Sequence, residues 1–490
     1  MTTTNSVDVD FCYIAPSSRP SLTSLTYYHL FIDGTQGESV SASCDDKIKI
    51  AKRLMTFGVD YVEAGWPGSN PKDAEFFERA KSELNDDQKE KLVAFGSTRR
   101  KFIHAKDDLQ LQALLDSAAP TLCLVAKSHA WQVEEILKTT RDENINMISD
   151  SVQYLVSQGR RVMVDLEHFF DGHVADPDYA LACCRAAVDA GASCLVLCDT
   201  NGGCMPWEIQ AGTEEVVRTF DCTVGIHAHN DCGMAVANSI MAAKAGAGLI
   251  QGTMNGIGER TGNADLCTII PSLSLHVFTK MDCDLKDLTT VSRFVDEQLN
   301  RAPQTTAPFV GASAFAHKGG LHVAAMERNP LSYQHIDPTL VGNEPRFLIS
   351  ELSGRQSILG KTKDAGIDGD GASERALAIL ERVKKLESQG YTFEGAEASV
   401  HLMILHASEG YCSPFKVLDY SAQVFDTNID SATRVVQKQQ QRNSVEDDGM
   451  FTPRGMGPTA RATVTVRSLN LDEDVSGNFL TLPTFSLLQY

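Results

Sequence analysis

No apolar stretch in this 490-residue chain approaches the roughly 18 residues needed for a membrane-crossing helix, so no membrane partner is expected. Basic charge is also short. Lys+Arg number 44 against 64 Asp+Glu, a net charge of -20, and phosphate-backbone binding needs basic surface, so nucleic acid is not expected either. Cysteine is plentiful but lacks pattern: thirteen residues with no CxxC pair and no zinc-ribbon spacing. They read as reduced, mostly packed thiols of an intracellular, most simply cytoplasmic, protein. Residues 1–26 have no signal-peptide apolar core, and Asp8 and Asp10 against a single Arg19 make them poor transit-peptide material. They are expected to be unstructured.

What is present alternates. Short β-branched runs recur about every 30 residues, the length of a strand–helix–strand module. Eight candidates stand out: the run ending at Asp33, then 59–65, 91–97, 121–128, 161–169, 194–200, 222–230 and 249–259. Between them lie amphipathic stretches with start and stop signals. In SASCDDKIKIAKRLMTFG, Ser43 suits an N-cap and Gly58 the left-handed position past the end. In RDENINMISDSVQYLVSQG, Ile145, Ile148, Val152 and Leu155 share a face, and Gly159 stops the helix.

Eight such units imply an α/β fold, a (β/α)8 TIM barrel, over 27–285, with an open doubly wound sheet as the competitor. A helical linker subdomain is expected over 286–370, and an α+β domain over 371–490. The latter has strand-like runs at 398–405, 416–425 and 459–468, a polar loop at 435–449, and no clear period in the last 20 residues.

In a TIM barrel the chemistry lies at the C-terminal strand ends. The polar residues expected there are Asp33, Glu63, Glu167, Thr200, His227, His229 and, past the eighth strand, Asn263. GIHAHND is the strongest local signal. Alternation along a strand points His227 and His229 the same way, roughly 6–7 Å apart, so that one cation can bridge them. Asp33 would add an anionic oxygen and Asn263 a neutral one, a set suited to Mg²⁺, Mn²⁺ or Zn²⁺. An HxH pair taken alone has an equally good reading as two satisfied histidines near a loop. NGIGERTGN offers backbone N–H groups and Arg260 to an anionic group, or is a tight loop after a strand. Glu63 is either a substrate contact or a carboxylate held in an ion pair.

Longer motifs carry a resemblance. DGTQGESVSASCDDK, IHAHNDCGMAVA and NGIGERTGNADL resemble the motifs of the 2-isopropylmalate and homocitrate synthase family of metal-dependent TIM barrels. VEAGWPGSNPKDAEFF, FGSTRR, LEHFFDG, LCDTNGG, VGASAFAHKGGLHVAA and HIDPTLVGNEPRFLISELSGR look like its citramalate-forming branch. The resemblance implies condensation of acetyl-CoA with pyruvate to give citramalate and CoA, in isoleucine biosynthesis. The alternatives are 2-oxoisovalerate as the oxo acid, or a non-catalytic homologue that binds an oxo acid.

It further implies that Asp33, His227, His229 and Asn263 hold a divalent metal that polarises the keto group. His317 in AHKGG would do acid/base work, and Glu167 would orient the site. Thr200 would hydrogen-bond the oxo acid, with Glu63 and Arg260 as further substrate contacts. A homodimer and a C-terminal domain binding an effector such as isoleucine are expected on the same ground.

The chain departs from the family at one catalytic position. Where the family writes Arg-Asp-Gly at the end of its first strand, this sequence writes Ile32-Asp33-Gly34. Isoleucine donates no hydrogen bond to an oxygen on which charge develops, so activity is expected to be impaired. Arg99 and Arg100, at the end of the third strand, are candidates to replace the missing guanidinium. The likeness also stops abruptly just before Asp33 and after Arg467, as expected of a spliced or misjoined coding sequence.

Overall fold

The computed structural model describes residues 25–277, 282–354, 357–359, 372–407, 415–425, 459–468 and 474–481. The expected polar loop at 435–449 and nearly all of the N-terminal segment lie outside them. Eight strands are β1 (Thr26–Leu30), β2 (Tyr61–Gly65), β3 (Leu92–Ser97), β4 (Thr121–Lys127), β5 (Arg161–Glu167), β6 (Cys194–Asp199), β7 (Thr223–Ala228) and β8 (Leu249–Gly252). Each pairs in parallel with the next, and β8 closes on β1 from Thr26↔Leu249 to His29↔Gly252. The ring is closed, which rules out the open sheet.

The strands read as near-continuous apolar runs because both faces are covered. One face meets the helices. Leu122, Val164, Leu195 and Ile226 pack there against residues such as Ile48, Leu54, Leu114 and Val152. The other fills the lumen with Tyr28, Leu30, Val93, Cys123, Met163, Cys194, Val196 and Leu249.

Local signals set the helices in register. Ser43 caps Cys44–Phe57 in a reciprocal box with Asp46, and Gly58 leaves it at φ 111°. A Cβ at Gly58 would run into the backbone of Asp282 and Cys283, so glycine is needed there for both conformation and clearance. Helix Arg141–Ser157 begins at Thr140, and Gly159 follows it at φ 78°.

The chain divides into two compact units, the first being residues up to Phe315 with Ile336–Pro345, the second Ala316–His335 and everything from Arg346 onward. In the second, β9 (Ala316–His317) pairs in parallel with β10 (Arg346–Phe347). Helices Ala372–Glu387 and Glu397–His406 share a small core of Ile379, Val383, Val400 and Ile404. Strands β11 (Phe415–Phe425), β12 (Thr459–Ser468) and β13 (Asp474–Thr481) form an antiparallel sheet with β12 in the middle.

Three local expectations need correcting. Residues 398–405 are helical: Val400 and Ile404, four apart, are the buried pair, and a short unbroken apolar run does not distinguish helix from strand. The last 20 residues, which show no clear period in the sequence, contain the whole of strand β13. Asp33 lies just past β1 on a single helical turn, Phe31–Thr35, rather than at a strand end.

Candidate active site at the barrel mouth

The mouth is assembled from loops that follow β1, β7 and β8. His227 lies on β7 and His229 two residues on, so the pleat directs both rings to one side. Their centroids are 5.0 Å apart, closer than strand rise alone gives. The loop after β8 then doubles back. Asn255, Gly256, Arg260 and Gly262 all take positive φ, and the turn is tied by Asn263 N–H donating to the Gly256 carbonyl at 3.1 Å. The return places Asn263 in a β-bridge with His229.

Asp33 completes the group from the turn after β1, the strand that neighbours β8. Its Oδ2 is 3.0 Å from His227 Nε2 and accepts from Asn263 Nδ2 at 3.1 Å. Donor atoms of Asp33, His227 and His229 all lie within 4.8 Å of one another. Four side chains from three distant parts of the sequence thus meet at one point.

The electrostatics of the cluster are uneven. Burial works against the charge on Asp33, but the two imidazoles and Asn263 outweigh it and hold the carboxyl below its usual range. Burial likewise opposes charge on His227, yet Asp33 and Asp165 hold its proton well above the usual histidine range. His229 goes the other way. Burial first, then the neighbouring His227, push it down to about 4, so it is neutral at pH 7. Its Nδ1 lies 2.7 Å from the Thr200 carbonyl, which only accepts, so the proton sits on Nδ1 and the Nε2 lone pair is free.

The set fits a divalent cation: two imidazole nitrogens, a carboxylate oxygen and an amide oxygen. The Asn263 amide turns Nδ2 to Asp33 Oδ2 and, at 3.3 Å, to His227 Nε2, while its Oδ1 is buried against Gly258 without a hydrogen-bond partner; exchanging the two ends of the amide would present the oxygen to the cluster. Gly258 leaves the space, since a Cβ there would overlap that oxygen.

The other candidates are distributed around this centre. Glu63, 1% exposed, lies in the middle of β2 rather than at the expected strand end, and accepts from Tyr28 Oη at 2.8 Å. Burial, then Asp33 and Asp165, raise its pKa well above the usual carboxylate value. Glu167 ends β5 in an ion pair with Lys127 of β4, 2.5 Å apart. The pair lies on the wall of a cavity of about 450 Å³ that Arg99, Arg100, Val125, Leu137 and Met147 also line.

Thr200 is held by its own polar atoms, Oγ1 accepting from His168 N–H at 2.8 Å and its carbonyl from Arg260 Nη2 at 2.9 Å. The Arg260 guanidinium is engaged: Nε and Nη2 donate to the two Asp231 oxygens at 2.8 and 2.9 Å. Arg99 and Arg100 are engaged too, the first with Asp150 and Glu143, the second with Asp108. Neither bears out the idea of a ready substitute for the missing arginine. His317 belongs to the second unit, on β9, where burial first and then His322 lower its pKa.

Sequence reasoning missed three residues. Lys127 escaped because its partner Glu167 lies 40 positions on. Asp165 and Gln251 are buried in the lumen beneath the cluster, at 3% and 0% exposure. Their one sequence signal is a charged or amide side chain within an apolar strand, VMVDLE or LIQG.

Comparison with known proteins agrees with this architecture. The HMGL-like family model matches residues 31–295, and the homocitrate synthase post-HMGL domain-like model matches 309–391. The chain is 49% identical over 380 residues to the (R)-citramalate synthase of Streptomyces coelicolor, covering 77% of this chain and 71% of that one. For the (R)-citramalate synthase of Synechocystis it is 48% over 400 residues, 79% and 72%. Against the 2-isopropylmalate synthase of Sulfolobus acidocaldarius identity falls to 32% over 367 residues, covering 75% and 91%. Among solved structures, the Bacillus subtilis HMG-CoA lyase superposes with a TM-score of 0.50 at 19% identity, covering 58% of this chain and 96% of that one, a likeness of fold alone. With the closed barrel, the cluster at its mouth and these relatives together, the chain belongs to the HMGL-like family and, within it, groups with the (R)-citramalate synthases, acyltransferase-type enzymes.

Proposed function

We propose that this barrel condenses acetyl-CoA with pyruvate, releasing citramalate and CoA, at a rate reduced by Ile32. The observation that carries the reading is the convergence of Asp33, His227 and His229 on one point, with the Asn263 amide against them. A divalent cation there, Mg²⁺, Mn²⁺ or Zn²⁺, would supply Lewis-acid polarisation of the keto group.

The chain's own residues do the rest. Asp33, His227, His229 and Asn263 would hold the cation, and Thr200 and Glu63 surround the oxo acid, with Arg260 reaching it on leaving its pair with Asp231. A methyl proton leaves the acetyl thioester for a base. The new carbon–carbon bond joins that methyl carbon to the keto carbon of pyruvate, and a proton is delivered to the keto oxygen. Water then cleaves the carbon–sulfur bond, releasing CoA as the thiol.

His317 enters as the acid/base group on its sequence motif, supported by a depressed pKa that keeps its ring neutral and able to accept a proton. Glu167, paired with Lys127, orients the site. Pyruvate is favoured over 2-oxoisovalerate by the drop from 49% to 32% identity between the two classes of relative. A homodimer, and isoleucine acting on the second unit, complete the reading.

The test is thiol release from acetyl-CoA with Mn²⁺ or Mg²⁺ and either oxo acid, for this chain and for Ile32→Arg. Faster release with pyruvate, much faster in the arginine variant, supports the proposal. Preference for 2-oxoisovalerate, or tight Mn²⁺ and pyruvate binding without turnover in either protein, overturns it.

A further inference from the structure

Beneath the cation cluster the lumen is polar where a TIM barrel usually packs branched aliphatic side chains. Asp165 of β5 is 3% exposed and accepts two hydrogen bonds at its Oδ1, from Gln251 Nε2 at 2.9 Å and from Cys123 Sγ at 3.0 Å. The far end of the Gln251 amide, Oε1, faces His227 Nδ1 at 2.8 Å. The second Asp165 oxygen, Oδ2, lies 3.8 Å from the same Nδ1. Burying a carboxylate here is costly and does not serve packing.

The chemistry of these groups leaves one arrangement. A carboxylate accepts and does not donate. Gln251 must therefore turn its NH₂ toward Asp165, because the flipped amide would set oxygen against oxygen. That orientation presents Oε1 to His227. Both atoms facing Nδ1, the amide oxygen and Asp165 Oδ2, are then acceptors, so Nδ1 keeps its hydrogen. The lone pair of the neutral ring is left on Nε2, the nitrogen that faces Asp33.

Asp165, Cys198 and His227 also bring potential ligand atoms together. That triad shares His227 with the mouth, and the nitrogen on its side is the one committed to Gln251. It is the inner half of the same device and not a separate metal centre.

We propose that Asp165 is a positioning residue which, acting through Gln251, fixes the polarity of His227 and thereby sets the affinity of the mouth for a divalent cation. This rests on the cation-binding part of the proposed function and is independent of which oxo acid is used. Metal-ligating histidines generally depend on such a partner, and losing one typically costs about 10- to 100-fold in affinity.

The test reads cation binding without substrates, so it does not stand or fall with acyl transfer. Free Mn²⁺ is titrated by electron paramagnetic resonance against the full chain, Asp165→Asn, and the double variant Asp165→Asn with Gln251→Glu. In the single variant the new amide on β5 satisfies either orientation of Gln251, and Mn²⁺ affinity is expected to fall about 10- to 100-fold. The double variant moves the carboxylate one station along, from β5 to β8. The amide introduced on β5 then donates, the carboxylate introduced on β8 accepts from Nδ1, and affinity is expected to recover.

A role in folding alone would not produce that recovery. In addition, ¹⁵N-histidine spectra of the unmutated Mg²⁺-loaded protein should show His227 protonated at Nδ1, a readout that needs no variant to fold. Wild-type affinity in Asp165→Asn, a double variant no better than the single, or His227 protonated at Nε2 would each overturn the proposal.

Discussion

The two sides of the barrel mouth are built to different standards. On the β7–β8 side the two histidines and the backbone of Asn263 each have support. His229 is held by the Thr200 carbonyl, His227 by Gln251, and Asn263 is brought back to its bridge by the loop after β8. On the β1–β2 side, Asp33 and Glu63 bring two carboxyl groups near one another. The position next to Asp33 in the sequence holds isoleucine, and Glu63 has Tyr28 Oη as its hydrogen-bond partner among the described residues. The difference teaches that binding a cation and stabilising developing charge are separable properties of one rim. On the proposed reading the chain keeps the scaffold for the first, and Ile32 offers no donor for the second.

The largest expected effect breaks that asymmetry directly. A preorganised donor to a developing oxyanion is worth roughly 3–4 kcal/mol, so Ile32→Arg is expected to raise kcat for CoA release about 10²- to 10³-fold. Mn²⁺ affinity should change little, because the cation ligands lie elsewhere. Equal rates in the two proteins, followed by thiol colorimetry, would show that the β1 side is already complete.

The opposite side is broken at Gly258. A methyl group there overlaps Asn263 Oδ1 and must displace it. Gly258→Ala is expected to weaken Mn²⁺ binding about 10- to 100-fold, an effect transmitted through a neighbour as outer-shell changes usually are. Unchanged binding in a titration would remove Asn263 from the ligand set.

A pH titration sharpens the comparison without mutation. Asp33 and Asp165 hold the His227 proton well above its usual range, whereas His229, pushed down to about 4, has none to lose near neutrality. A cation taking His227 Nε2 must expel that one proton. Apparent Mn²⁺ affinity should rise about tenfold per pH unit above about pH 6, until pH passes the folded-state value of His227. Calorimetry in buffers of different ionisation enthalpy should count about one proton released. A flat profile would mean that the ring is already neutral.

Much of this arrangement was legible in the chain. Eight runs at regular spacing announced the barrel, and period-two alternation in GIHAHND placed His227 and His229 on one side. What stayed hidden depends on partners remote in sequence. Gln251 and Asp165 are 86 residues apart, and neither has a local pattern that reveals the other. Arg260 looked like a free anion receptor, because nothing in NGIGERTGN shows that Asp231, 29 residues earlier, occupies its guanidinium. The 398–405 run failed for another reason: when nearly every residue is apolar, period two and period 3.6 fit equally well.

The smallest expected effect concerns Glu63. Burial, then Asp33 and Asp165, raise its pKa above the unfolded value, so the folded chain favours the protonated form. The sign follows from linkage. The folded state binds this proton more tightly than the unfolded state, so the associated stability is fully present below the unfolded value near 4.5 and is lost as pH rises toward the folded value. Glu63→Gln keeps an acceptor for Tyr28 Oη but has no charge to bury. Its melting temperature relative to the unmutated chain should therefore improve from about pH 4 to about pH 8, while Mn²⁺ affinity stays within about a few fold because Glu63 makes no bond in the His227 relay. A stability difference that does not vary with pH would place a compensating cation beside Glu63, and the β1–β2 side would then be as well supported as its opposite.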